Sequence, residues 1–142
     1  MDDDTRWRDS RRDAVEAHAA ALDRQRAREI AEAQALIDDF VRELRERAVA
    51  PEQLRARVPD RRLTYRTPHV GWYIRRNRSL AIGARGEFYI LDVPASLRSR
   101  LFGADVRPSD PPLTVGRGAR DGESIGLADL LRQRLSWPPS TR

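Results

Sequence analysis

Residues 61–93 read RRLTYRTPHVGWYIRRNRSLAIGARGEFYILDV, and this stretch decides the fold. Leu63, Tyr65 and Thr67 alternate with Arg62, Thr64 and Arg66. After Pro68-His69, Val70, Trp72 and Ile74 alternate with Gly71, Tyr73 and Arg75. Asn77-Arg78 signals a turn. Leu80 and Ile82 lead to a second turn at Ala84-Arg85-Gly86, and Phe88 and Ile90 carry the pattern on to Val93. Successive side chains of a strand point to opposite faces, so a period of two predicts strands. Four such runs with short connections predict an antiparallel meander whose inner face includes Trp72, Ile82 and Phe88.

Upstream the pattern changes. From Ser10 to Ala48 there is neither glycine nor proline, and alanine, glutamate, arginine and leucine dominate. These are good helix formers. Ser10 and Asp13 make an acidic variant of a capping box, and the first turn could begin as early as Thr5. Ile30, Ala33, Ile37, Phe40, Val41, Leu44 and Ala48 recur at helical spacing and form one apolar face. Toward the N-terminus that stripe thins to Val15, Ala19 and Leu22, interrupted by Arg26. A helix of about 38 residues is about 57 Å long. That exceeds any domain the remaining residues can form, so its N-terminal half must project, fold back or pack on another chain. Alanine permits close approach of helices, which points to a homo-oligomer or to docking. Two heptads of weak pattern fall short of a coiled coil.

Downstream of the long helix, PEQLRARV at 51–58 reads as a short second helix with proline in its first turn. Beyond the meander, Pro94-Ala95-Ser96 opens a helix of one or two turns carrying Leu97, Leu101 and Phe102, with Gly103 as its stop. Leu113-Thr114-Val115 is an edge-strand candidate. Ser124 is a candidate cap for a last helix with Leu127, Leu130, Leu131 and Leu135 on one face. The expected fold is α+β: a long N-terminal helix, a four- to five-stranded antiparallel sheet with one face covered by helices, and short C-terminal helices. The expected division is a helical arm at 1–50, a small sheet domain at 51–136 and a loose tail at 137–142.

All 27 basic residues are arginine. Residues 1–60 carry a net charge of −3 and residues 61–142 a net charge of +8. Between residues 61 and 86 stand seven arginines and no acid, interleaved with Tyr65, His69, Trp72 and Tyr73. A guanidinium is a permanently charged planar fork that pairs with carboxylate or phosphate and stacks on aromatic rings. If the first two runs paired as strands, Arg62, Arg66, Tyr73 and Arg75 would share one open face, with Arg76 and Arg78 at its rim. These six residues are the candidate binding site. A weaker anion-binding candidate is the loop Gly116-Arg117-Gly118-Ala119-Arg120, which lacks the lysine and hydroxyl of a phosphate-binding P-loop.

Catalytic chemistry finds little support. There is no cysteine, hence no disulfide, thiol nucleophile or thiolate metal site. His18 and His69 are the only histidines, and neither has a nucleophile or acid close in sequence. Asp38, Asp39, Glu43 and Glu46 read as ordinary polar neighbours of an apolar stripe. No cofactor or metal is expected. The opening MDDDTRWRDS has neither the basic nor the apolar region of a secretory signal, and no apolar run approaches the length of a membrane span. The expectation is a cytoplasmic, non-enzymatic interaction or adaptor protein, its helix serving assembly and its basic sheet face meeting an acidic partner. The alternative is nucleic-acid binding through the arginine and aromatic residues of 62–78.

Overall fold

The computed structural model describes residues 2–116 and 123–139. The chain forms an α+β fold led by one uninterrupted helix, α1, at Asp2–Glu46. It starts earlier than the Ser10 signal implies. Asp2, Asp3 and Asp4 occupy its first turn, where carboxylates complement the helix dipole. At the other end Ala48 adopts a left-handed conformation with φ of 57°. The Val49 N–H reaches back to the Leu44 carbonyl over 2.9 Å and the Ala48 N–H to Arg45 over 3.0 Å, which closes the helix before Pro51.

Residues 51–58 do not form the expected helix. Glu52–Val58 is a strand, β1. Leu54, Ala56 and Val58 are buried and the intervening Gln53 and Arg55 are exposed, a period of two. The helical reading of this heptapeptide failed because two turns of helix gain little on their own. As a strand it pairs with Leu63, Thr64, Tyr65 and Arg66 and with Val70 and Gly71 of its neighbour.

That neighbour, β2 at Leu63–Tyr73, is one strand of 11 residues where two were expected. Pro68 interrupts the alternation but not the strand. The β1–β2 register slips between Gln53 and Arg55, and the irregularity falls opposite Thr67-Pro68-His69. Proline has no N–H for the ladder, so it is tolerated at such a bulge. Side chains supply the missing bonds. Thr67 Oγ1 donates to the Leu54 carbonyl at 2.7 Å. Gln53 Nε2 donates to the carbonyls of Thr67, at 2.5 Å, and His69, at 3.0 Å.

Strands β3 (Leu80–Gly83) and β4 (Phe88–Ile90) complete an antiparallel sheet of order β1-β2-β3-β4. The sheet curls until its two edges meet. The Arg57 N–H donates to the Leu91 carbonyl at 2.8 Å and the Val93 N–H to the Arg57 carbonyl at 2.9 Å, so the segment after β4 lies parallel to β1.

Curling gives the sheet two buried faces. On the convex face Trp72, Ile74, Leu80, Ile82 and Phe88 meet Ala33, Ile37, Phe40, Val41 and Leu44 of α1. The C-terminal helix at Leu127–Leu135 contributes Leu127, Leu130 and Leu131 to the same core. On the concave face Leu54, Ala56, Val58, Tyr65, Tyr73, Ala81, Tyr89 and Leu91 gather with Ala104 and Val106. The expected arrangement of one covered and one open face is therefore corrected, and the open-face position of Tyr73 goes with it.

After β4, Leu97–Phe102 forms the short helix α2. The Ser96 side chain accepts from the Ser99 N–H, and Gly103 follows at φ of 85°. Strands β5 (Thr114–Gly116) and β6 (Ser124–Gly126) make a separate two-stranded sheet. Ser124 is thus a strand residue and not a helix cap. The last helix, α3 at Leu127–Leu135, begins after Gly126, and its Leu127 N–H bonds the Leu113 carbonyl at 2.7 Å. No helix among the described residues is long and apolar enough to cross a membrane.

Candidate functional site

The exposure of α1 changes where the helix meets the sheet. Burial along α1 begins at Ile30, and from Ala33 onward its apolar stripe is in the core. Every residue from Asp2 to Glu29 is exposed. These 28 residues extend for about 42 Å. Trp7, Val15 and Leu22 are among the exposed large apolar side chains of the arm. A guanidinium of its own chain, Arg11, covers the Trp7 ring at 5.2 Å.

The six predicted site residues do not form one patch. Because β2 is a single strand, Arg66 sits near its middle while Arg75 lies past its end, at the turn before β3. Arg62 and Arg66 lie exposed on the outer face of the β1–β2 hairpin. Arg55 pairs directly with Arg66 across the ladder and joins them. Its Nε donates to Thr64 Oγ1 at 2.9 Å. Arg57, on the same face, is neutralised by Asp92 at 2.5 Å.

Arg75, Arg76 and Arg78 gather instead around the β2–β3 turn. Arg75 donates to the Gly116 carbonyl at 2.6 Å. Arg76 and Arg134 both lie over the Trp137 ring, at 5.0 and 4.5 Å, and Arg134 Nε donates to the Tyr73 carbonyl at 2.7 Å. Burial lowers the Arg134 pKa below its ordinary value, and nearby Glu52 partly opposes this. Tyr73 itself is buried. Its hydroxyl accepts the Arg55 N–H at 2.9 Å, and Arg78 covers its ring at 5.3 Å.

Among the described residues, the recorded ion pairs join Arg42 to Asp39, Arg47 to Glu43, Arg57 to Asp92, Arg107 to Asp105 and Arg132 to Asp129. None uses Arg55, Arg62, Arg66, Arg75, Arg76 or Arg78.

The remaining candidates resolve simply. Of the anion loop, Gly116 ends β5 and gives its carbonyl to Arg75, while Arg117, Gly118 and Arg120 lie outside the described residues. Asp38 accepts from Gln34 at 3.0 Å, and Asp39 and Glu43 are in ion pairs along α1. No group of three metal-ligating side chains occurs among the described residues. His18 is exposed on the arm. His69 is structural: it stacks on Tyr89 at 4.4 Å, and its Nε2 lies 2.6 Å from the Val106 carbonyl, which makes that nitrogen the donor.

Three surface features escaped the sequence reading. Arg55 and Arg57 were hidden by the helical reading of 51–58, although the Leu54-Ala56-Val58 alternation carries the signal. Arg134 and Trp137 join the turn cluster through tertiary contact alone. Leu97, Leu101 and Phe102 were placed on a helix correctly, but all three face solvent, Phe102 at 80% exposure. Comparison with family models, curated proteins and solved structures finds no match to this chain.

Proposed function

We propose that this chain is a non-enzymatic interaction or adaptor protein, with α1 as an assembly arm and the basic hairpin face as the contact for an acidic partner. One observation carries the reading: residues 2–29 of α1 are exposed on every side, while farther along the helix Ala33, Ile37, Phe40, Val41 and Leu44 are buried in the core. Isolated helices lacking a packed face are only marginally stable, so a 28-residue arm gains most from a partner along its length.

The basic face supports the second half of the proposal. Arg55, Arg62 and Arg66 are exposed, and the recorded ion pairs leave them available to carboxylates of another protein. An acidic protein surface is preferred to nucleic acid because the stacking aromatic is lost. Tyr73 is buried, and the Trp137 ring carries two guanidinium groups of its own chain. Base stacking needs an uncovered ring face.

The chain has no lysine, so amine-directed cross-linkers are of little use. Photo-reactive residues at Ala14 and at Arg66 in the full chain, activated in cells, test the proposal. Protein adducts are expected at both positions, with the Arg66 adduct lost on Arg62→Glu. Absence of protein adducts at both, together with steeply salt-dependent binding to short DNA or RNA, would replace this reading with the nucleic-acid one.

A further inference from the structure

We propose that residues 2–29 of α1 pair antiparallel with the same segment of a second copy of this chain, Ala14 of one lying opposite Ala17 of the other. The proposal rests on the reading of α1 as an assembly arm and names its partner.

The argument starts from the exposed helix surface. Trp7, Ser10, Ala14, Ala17, Ala21, Arg24 and Arg28 follow one another at spacings of three and four. This is the spacing that keeps one seam of a helix facing another helix. At 100° per residue, the seam is turned by roughly 140° from the stripe of Ala33, Ile37, Phe40 and Leu44 that meets the sheet. All seven side chains are exposed. The small residues at its centre let two helix axes approach toward about 8 Å, the near end of the usual range.

Charge selects the direction. In the antiparallel register each residue faces the one whose number completes a sum of 31. Asp3 then faces Arg28, and Trp7 faces Arg24, a carboxylate with a guanidinium and an indole with a guanidinium. Ser10 faces Ala21, and Ala14 faces Ala17. A two-fold axis repeats every contact, as an isologous interface requires. Beside the seam, Asp4 comes near Gln25, Arg11 near His18, and Asp13 near Ala20, so no carboxylate meets a carboxylate. An in-register parallel pair would instead set Asp3 on Asp3, Arg24 on Arg24 and Arg28 on Arg28. Like charges in apposition disfavour that alternative.

Geometry permits the assembly. Glu29, the last residue of the arm, lies level with Asp2, the first residue of the partner arm, so burial begins just past the paired segment. The two sheet domains therefore sit at opposite ends of a paired rod of about 42 Å and do not collide.

The experiment uses the full chain, which contains no cysteine. Ser10→Cys and Ala21→Cys are made separately at exposed positions, so folding is not at issue. On mixing and mild oxidation, a disulfide between position 10 of one chain and position 21 of the other is expected, with little cross-linking of either variant alone. Sedimentation equilibrium of the unsubstituted chain should give twice 16.3 kDa. Asp3→Arg or Arg28→Asp should each weaken the dimer about tenfold, since the two-fold axis doubles every lost contact, and combining them should restore it.

A strict monomer at millimolar concentration overturns the proposal, and so do 10–10 and 21–21 cross-links, which mark a parallel pair. If the chain is a monomer while the Ala14 photo-adduct contains a different protein, the assembly-arm reading stands and only the self-pairing falls. If there is neither dimer nor adduct, both fall.

Discussion

The guanidinium of Arg57 clasps the carboxylate of Asp92 with two bonds, Nε to Oδ1 at 2.5 Å and Nη2 to Oδ2 at 3.3 Å. The Arg57 backbone also bonds Leu91 and Val93, on either side of Asp92, where the first strand meets the segment after the last. One pair thus closes the curled sheet. It also neutralises one arginine of the β1–β2 hairpin. Both side chains are about one-third exposed, so the pair is partly screened. Asp92→Ala is expected to cost about 1 kcal/mol, the upper end for a well-formed surface pair. In a double-mutant cycle with Arg57→Ala, urea denaturation should give a coupling energy that shrinks as salt is raised.

Trp72 joins the C-terminal part of α1 to the sheet. Its ring is buried against α1, and its Nε1–H donates to the Val49 carbonyl at 3.0 Å, just past the end of the helix. Trp72→Phe keeps most of the apolar contact but leaves that carbonyl without its donor. The expected loss is about 1–3 kcal/mol. Trp72→Ala adds a cavity and should cost about 3–5 kcal/mol. Equal losses for the two variants, measured by urea titration, would show that the hydrogen bond is not what holds the helix end.

Tyr89 gives a pH signature for the concave core. Burial, above all, raises its pKa, and the Glu87 carboxylate adds a hydrogen bond and a repulsive charge, bringing it to about 12 from an ordinary 10.0. The sign follows from the raised value. The group's contribution to stability is complete below pH 10 and is lost as pH rises through 12. Ultraviolet titration of phenolate should resolve a late-titrating tyrosine. Glu87→Gln should bring it down part of the way, because the burial contribution remains. A tyrosinate signal complete by pH 10 would contradict the geometry around Tyr89.

Much of this architecture was legible in the chain, and the misses share a physical cause. The helix followed from an unbroken run of good helix formers, and β3, β4 and α2 from alternation and capping residues beside turns. The errors arose where tertiary pairing overrides local preference. PEQLRARV is compatible with helix or strand, and only the presence of β2 decides it. Pro68 reads as a strand end until Thr67 and Gln53 are seen supplying the bonds it cannot. Tyr73 was placed on an open face because nothing in local alternation reports that a sheet curls. The candidate site split for the same reason: clustering in sequence became separation along a single extended strand.

Gly71 is where that curled sheet tolerates least. A β-carbon there would lie 2.1 Å from the Ile82 carbonyl oxygen and 2.8 Å from the Gly83 Cα, both backbone atoms. A flexible side chain could move aside, whereas the adjacent strand cannot do so without parting from β2. The β2–β3 pairing consists of Gly71 with Gly83, Trp72 with Ile82 and Tyr73 with Ala81. Separating it therefore strains Trp72 on the convex core and Tyr73 on the concave one together. Gly71→Ala is expected to cost about 3 kcal/mol, in the range of overpacked cores and broken ladders. Val70→Ala, at a neighbouring side chain that is 44% exposed, should stay within about 0.5–1 kcal/mol of the parent. Comparing the two by chemical denaturation separates close backbone approach from a general intolerance of this strand to substitution. A Gly71→Ala protein as stable as Val70→Ala would mean that β2 and β3 do not approach as closely as described.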